Sequence, residues 1–557
     1  MAAVTSTAMV IALITIQSPT PVNANQLDRQ VSAHAINATS QPATSVTAAP
    51  FATAKAADFD RAVSYNTGGY YASSVVTADL NGDGDPDLVI ANTCQSDSEG
   101  ASDCTAGGEV SVLLSNGDGT FQTSVTYPSG GSAALSVAIA DVNGDGIADL
   151  IVANECLSST DCTTGNVGIL LGVGDGTFHS PVNYSAGYGS LSVAVADLNG
   201  DGHPDLAVAN QCVSANACGT GAVTILLNNG NGTFQPGTTY ASGGQGSVSV
   251  AIKDLNADGF PDIALANQCL TKFNCNIGGV SILFNNGNGT LRTAVSYDSG
   301  GYSALSVAVA DVNGDGLPDI IATSLCSNGT NCVDGVVGVL LNKGGGTFQQ
   351  PTTYDSAGYG ASSVAIGDMN GDGIPDLVVD NICKTSANCT KGGVILLVGN
   401  GDGTFQTPLI YSSNGNDATS VTIGDLNGDG RPDIVTANNC TTRSNCSGLV
   451  SVLLNSSALK TTTTVSSSTN PSTVGQQVTF IATMTSTSQV PDGEIVTFYQ
   501  GTVVLGTSTT TNGTASFPAS FSKASTYTIK AVYPGDAFHK TSTGKVKQVV
   551  TNSPRAD

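Results

Sequence analysis

Between Asp79 and Asp433 the chain writes one nine-residue loop seven times, Asp-x-Asn-x-Asp-Gly-x-x-Asp, each copy between two short apolar runs. The copies open at Asp79, Asp141, Asp197, Asp254, Asp311, Asp368 and Asp425, separated by 62, 56 and then four times 57 residues. A fixed period of that size means a repeat architecture, in which one supersecondary unit is stacked on its copies. Three carboxylates and an amide crowded into nine residues make poor sense without a cation.

Calcium takes six to eight oxygens in flexible geometry from carboxylates, amides and carbonyls. The first loop offers the side chains of Asp79, Asn81, Asp83 and Asp87 and the carbonyl of Asp85. The second offers Asp141, Asn143, Asp145 and Asp149 with the carbonyl of Ile147, and the third Asp197, Asn199, Asp201 and Asp205 with that of His203. The fourth has Asp254, Asn256, Asp258 and Asp262 with Phe260, and the fifth Asp311, Asn313, Asp315 and Asp319 with Leu317. Asp368, Asn370, Asp372 and Asp376 with Ile374 form the sixth, and Asp425, Asn427, Asp429 and Asp433 with Arg431 the seventh. Position 7 drifts freely, as expected if only its carbonyl is used, whereas all 28 side-chain ligand positions carry Asp or Asn. An acidic Asn-Gly hairpin turn without metal explains the glycines but not that contrast. Magnesium and manganese are the other hard ions such donors accept. The expected cofactor is about seven calcium ions, one per unit. The loop is not an EF-hand, since Ile90 stands at position 12 and the flanks read as strands.

The 557-residue chain carries a formal charge of −25 although only 11% of its residues are charged. Three Asp in each of seven loops account for 21 of its 43 acidic residues, so the acidity speaks of metal rather than of basic partners. With no Lys/Arg patch to neutralise phosphates, nucleic acid is not an expected partner.

The 14 cysteines fall two per unit: Cys94/Cys104, Cys156/Cys162, Cys212/Cys218, Cys269/Cys275, Cys326/Cys332, Cys383/Cys389 and Cys440/Cys446. An even count paired once per repeat reads as a disulfide framework in an oxidising compartment, and no histidine recurs beside the pairs to support zinc. The apolar stretch Ala8 to Ile16, followed by small residues around Ala24, resembles a secretory signal, although no Lys or Arg precedes it. It is too short to span a bilayer, and the expected location is secreted, extracellular or cell-surface.

In the second repeat, 136–142 and 149–154 read as strands on either side of the acidic loop. NVGILLG reads as a third and FHSPVNY, from Phe178, as a fourth. Four short strands per 57 residues describe a propeller blade. Six repeats have the fourth strand, beginning at Phe121, Phe178, Phe234, Leu291, Phe348 and Phe405, and the seventh has none. The chain supplies an orphan copy, FDRAVSY (59–65), ahead of the first loop, which can complete the last blade and remove the open sheet edges. The expected fold is therefore all-β: a seven-bladed β-propeller with calcium-loop repeats, followed by a small β-sandwich.

The expected division is a signal peptide over 1–24, a disordered Ala/Thr/Ser-rich spacer over 25–57, the propeller over 58–457, the sandwich over 458–551 and a tail over 552–557. Strand-like runs at 477–484, 494–501, 514–521 and 526–533, with no cysteine and no helical signal, carry the sandwich.

The loop, its period and the ring logic resemble the FG-GAP/VCBS repeats of integrin α-subunit propellers and of many secreted bacterial proteins. The resemblance covers about residues 58–457 and implies calcium at the seven loops. The tail, with NPSTVGQ, VTFYQG and AVYPGD, is similar to bacterial Ig-like repeat domains, which serve as spacers or adhesion modules. The implied function is a non-catalytic calcium-binding module for an extracellular protein or glycan ligand. The cysteine-stapled loops would share one face with Tyr70, Tyr71, Tyr188, Tyr302 and Tyr359, as ligand-face candidates or as packing between blades. A lectin is the alternative, weakened by the absence of Trp. An enzyme acting on polysaccharide or lipid is a third, disfavoured because the four histidines recur nowhere and only the insert 95–103 breaks the repeat.

Overall fold

The computed structural model describes residues 57–95, 107–214, 217–271, 275–329, 332, 334–385, 389–456, 458–486, 489–536 and 539–552. The expected signal peptide, nearly all of the spacer, most of the 95–103 insert and most of the tail lie outside them. The described residues are all-β, and none of them forms a helix long and apolar enough to cross a membrane.

Each unit repeats one antiparallel meander. A first strand runs into the acidic loop, as in Ser132–Ala140 or Tyr359–Gly367. The second spans eight residues in every unit, from the ninth loop residue to the first cysteine: Asp87–Cys94, Asp149–Cys156 and so on to Asp433–Cys440. These strands are β-branched or small and buried on both faces, as expected of strands sandwiched between neighbouring sheets. A third strand, such as Glu109–Leu113, and a short, largely exposed fourth, such as Val125–Pro128, complete the unit. The fourth strand starts later than the sequence implies. Phe121, Phe178, Phe234, Leu291, Phe348 and Phe405 each make an isolated bridge, and regular pairing resumes about four residues on. In the second, third, fifth and sixth units a proline, Pro181, Pro236, Pro351 or Pro408, sits in that gap and has no N–H to give a ladder.

The orphan segment pairs as the sequence implies. In the 16-residue strand Val63–Ala78, Val63 lies opposite Val452, Ser64 opposite Ser451 and Tyr65 opposite Val450, and Phe59 bridges Asn455. Its second half pairs with Asp87–Cys94 in the first unit. One sheet thus joins the seventh unit to the first.

Two sets of contacts seal neighbouring units. At the inner strands a serine hydroxyl accepts a hydrogen bond from a valine N–H of the next unit: Val137 to Ser74, Val193 to Ser136, Val250 to Ser192, Val307 to Ser249 and Val421 to Ser363, at 3.2–3.3 Å. At the outer strands a tyrosine meets the following unit's phenylalanine edge to face. The pairs are Tyr65–Phe121, Tyr127–Phe178, Tyr184–Phe234, Tyr297–Phe348, Tyr354–Phe405 and Tyr411–Phe59, with centroids 5.2–5.7 Å apart. Such pairs add about 0.5–1.5 kcal/mol each beyond the area they bury. Leu291 replaces the phenylalanine at the remaining position and packs with Tyr240 in the cluster between the third and fourth units.

Each first strand also carries a bulge. Tyr71, Ala133, Gly189, Gly246, Ser303, Gly360 and Asp417 all have positive φ, between 54° and 69°, and the register shifts just after them. Four of these seven are not glycine, so the kink comes from the tertiary frame rather than from local preference.

The C-terminal domain is a two-sheet sandwich. Thr462–Ser467, Gln477–Thr485 and Thr514–Ser520 form one sheet. Ser472–Thr473, Ser542–Thr551, Ser525–Tyr533, Ile495–Gln500 and Val503–Thr509 form the other. Phe480, Phe498 and Tyr533 are fully buried between them. All four expected strands are present. The four others are Ser/Thr-rich or carry much of their apolar surface to solvent, as Val503 does at 66% exposure, which blurs the alternation that marks a strand in sequence.

Candidate metal loops and the cysteine-stapled face

The first residue of each loop organises the turn. Asp79 Oδ1 accepts from Gly82 N–H at 2.7 Å and Oδ2 from Gly84 N–H at 2.9 Å. Asn81 Oδ1 takes Asp83 N–H, and Asp83 Oδ1 takes Asp85 N–H. The second, third and fifth loops repeat this set of bonds. Position 6 is glycine with positive φ in every loop, 92° at Gly84, a conformation that the reversal requires and that side chains resist.

The ninth position behaves differently from the other three. Asp87, Asp149, Asp205, Asp262, Asp319, Asp376 and Asp433 are fully buried. Each gives one oxygen to the N–H of loop position 2 and the other to an N–H just after the third strand. For Asp205 the donors are Leu198 at 3.0 Å and Asn228 at 2.7 Å. For Asp433 they are Leu426 and Asn455. Burial pushes these carboxyls up, the N–H bonds oppose it, and the negative charge of loop positions 5 and 1 adds to it. Asp205, Asp262 and Asp319 are raised to about 6, and Asp376 and Asp433 to about 7. This carboxylate bolts the loop to its own sheet, a role the sequence reading did not give it.

Position 7 is less free than its variability implies. The ring of His203 lies against Gly230, that of Phe260 against Gly287, Ile147 against Gly174 and Asp85 against Gly117. A Cβ at most of these turn glycines would collide with the side chain above it. The acidic loops and the glycine turns thus share one end of the sheets. Arg431 is the exception: the described residues of the seventh unit form no such turn, and its guanidinium pairs with Asp429.

Among the described residues, no three His, Cys, Asp or Glu side chains stand together as a ready metal-binding group. Positions 1 and 5 point their oxygens along the loop to backbone N–H groups, and position 9 faces the sheet. The donor chemistry nevertheless fits a hard cation, because each loop presents only carboxylate, amide and carbonyl oxygens, and carboxylate oxygens bonded to one N–H keep a second lone pair. In the seventh loop a cationic group, the Arg431 guanidinium, already sits on the position-5 carboxylate.

At the other end of the sheets lie the cysteines. Cys156–Cys162, Cys212–Cys218, Cys269–Cys275, Cys326–Cys332, Cys383–Cys389 and Cys440–Cys446 are disulfides. Cys94 is disulfide-bonded too, and its expected partner, Cys104, lies outside the described residues. Tyr70, Tyr188, Tyr302 and Tyr359 share one register, each opposite the first cysteine of its unit. They are half-buried, and Tyr302 and Tyr359 pack on a core cluster together with Cys332 and Cys389. Tyr71 holds the left-handed bulge position beside them. Of the histidines, His203 is exposed in the third loop and His539 is buried against Asp536 in the C-terminal domain.

Comparison with known families agrees with this geometry. The FG-GAP-like repeat matches residues 99–152, 154–208, 211–265, 270–322, 326–379 and 386–436. The FG-GAP repeat matches 71–113 and 191–226, and the bacterial Ig-like domain (group 3) matches 463–551. Among solved structures, the chain is similar to two extracellular domains from B. thetaiotaomicron, described as those of a one component system and of a hybrid two component system, both BT4673. Identities are 8% and 9%, with TM-scores of 0.38 and 0.36 over 87% and 89% of this chain. The chain spans 56% and 59% of those two chains. By the repeats that fill most of its length, the chain belongs to the FG-GAP repeat family and carries a C-terminal bacterial Ig-like domain.

Proposed function

We propose that this protein is a secreted or cell-surface, calcium-loaded β-propeller of seven blades that acts as a non-catalytic binding module, with the Ig-like domain as its spacer. The observation that carries the binding role is the disulfide-stapled face, which sets loops and half-exposed tyrosines on a frame too rigid to lose much entropy on contact. The pairing of Val63–Asn66 with Ser447–Leu453 supports ring closure. The disulfides support an oxidising compartment. Calcium would lie among positions 1, 3 and 5, the carbonyl of position 7 and the bolted carboxylate of position 9, where it would offset the crowding of three negative charges.

A glycan ligand is the second reading. Tyr70, Tyr188 and Tyr359 present partly exposed rings, and an aromatic face can stack on a sugar. The test is binding of the folded protein to a glycan array and to intact cells, with calcium and with chelator. Selective, calcium-dependent capture of glycans makes it a lectin. Capture by cells without glycan binding makes it a protein adhesin, and no capture by either removes the binding role.

A further inference from the structure

The seven acidic loops are not equivalent, and Arg431 sets the seventh apart. In the first, second, third and fifth loops the Asn at position 3 donates its Nδ2 to Oδ2 of the Asp at position 5, at 2.9–3.0 Å. In the seventh loop that same oxygen, Asp429 Oδ2, receives Nε of Arg431 at 3.0 Å and also its Nη2. The Arg431 side chain is 6% exposed and that of Asp429 14%, so the pair is shielded from water and salt.

The fold explains why only this loop does so. In earlier units the side chain at position 7 lies over the glycine turn that follows the third strand. In the seventh unit the third strand ends at Leu453, Asn455 bridges Phe59, and the described residues after it form no such turn. Arg431 instead lies in a recess between the sixth and seventh loops, closed by Asp368, Asn370, Pro432 and Leu459. Packed there, it folds back on the nearest carboxylate.

We propose that Arg431 is a built-in counter-ion that stands where a divalent cation would be needed, so that the seventh loop binds calcium far more weakly than the rest. The inference rests on the calcium reading above. One fixed positive charge removes much of the repulsion among Asp425, Asp429 and Asp433 that would otherwise draw a cation in, and an incoming ion must break a charge-assisted contact in which two guanidinium N–H groups share one carboxylate oxygen. The seventh unit, which pairs with the N-terminal strand and leads into the Ig-like domain, then keeps its loop shape when calcium is scarce.

The experiment is calcium titration of the chelated full-length chain by calorimetry, with stoichiometry read by native mass spectrometry, on wild type, Arg431→Leu and Leu317→Arg. Leucine already stands at position 7 of the fifth loop. Wild type should fill six sites and a seventh at least about tenfold weaker, the scale of one lost charge-assisted contact. Arg431→Leu should bring the seventh site into line with the six, while lowering the melting temperature of the chelated protein. Leu317→Arg, in a unit that keeps the glycine turn beneath position 7 and has no such recess, should leave all six strong sites. Seven equal sites in wild type, unchanged by Arg431→Leu, would overturn the inference and leave the calcium reading standing. No calcium on any loop would remove both together.

Discussion

Val75 donates its backbone N–H to Ser420 Oγ at 3.1 Å, across 345 residues of chain. It is the same bond that Val250 makes to Ser192, or Val137 to Ser74, between consecutive units. The first and seventh units therefore meet through the contact used at the ordinary seams, and Tyr65 repeats the match on the outer rim against Phe121.

Ser420→Ala should cost as much as Ser192→Ala, about 1 kcal/mol each, the net worth of a buried neutral hydrogen bond. Urea denaturation of the two variants measures both. A neutral Ser420→Ala beside a costly Ser192→Ala would mean that the ring is open in solution.

The ninth loop residue should behave as a structural group as well as a ligand. Asp205 accepts from Leu198 and Asn228 while fully buried. Asp205→Asn places an amide against one of those N–H donors, so it should destabilise the chelated protein by about 1–3 kcal/mol. Asp201→Asn, at an exposed position of the proposed calcium site, should leave the chelated protein nearly unchanged and lower the stability that added calcium confers. Melts of both variants with calcium and with chelator separate the roles; equal effects in chelator would refute the distinction.

Glu109 should make stability depend on pH. The residue is 5% exposed, its Oε1 has no hydrogen-bond partner, and burial raises the carboxyl from 4.5 to about 7. Because the folded value lies above the unfolded one, its contribution is fully present below about 4.5 and is lost as pH rises through about 7. Glu109→Gln should therefore flatten the stability profile between those values and raise the melting temperature at pH 8. Thermal melts across that window in the presence of chelator give the answer, and an unaltered slope would place the cause elsewhere.

Most of the repeat was legible because its chemistry is local. The acidic loop carries its oxygen donors within nine residues, so the pattern sits in one window. A six-residue separation between cysteines likewise marks a staple within one loop, and Phe59 with Tyr65 betrayed the displaced strand by copying its siblings. Position 7 misled: its variation reads as freedom, but His203, Phe260 and Ile147 each cover a glycine some 27 residues on, and several side chains serve that purpose equally well. The left-handed bulge was hidden for a related reason, since Tyr71, Ala133, Ser303 and Asp417 have no common local preference for positive φ.

The sequence by itself determined the period, the strand order within a unit, the oxygen-donor loops and the oxidised cysteines, because each follows from residues close together in the chain. Only the tertiary structure decided which side chains join one unit to the next: the Ser–Val belt, the Tyr–Phe seams, the bolted ninth carboxylate and the turn of Arg431 onto Asp429. Those depend on which surfaces come to lie against each other. A hydroxyl, a ring or a guanidinium has the same local signature whether it faces a neighbouring sheet or water, and burial gives it its partner.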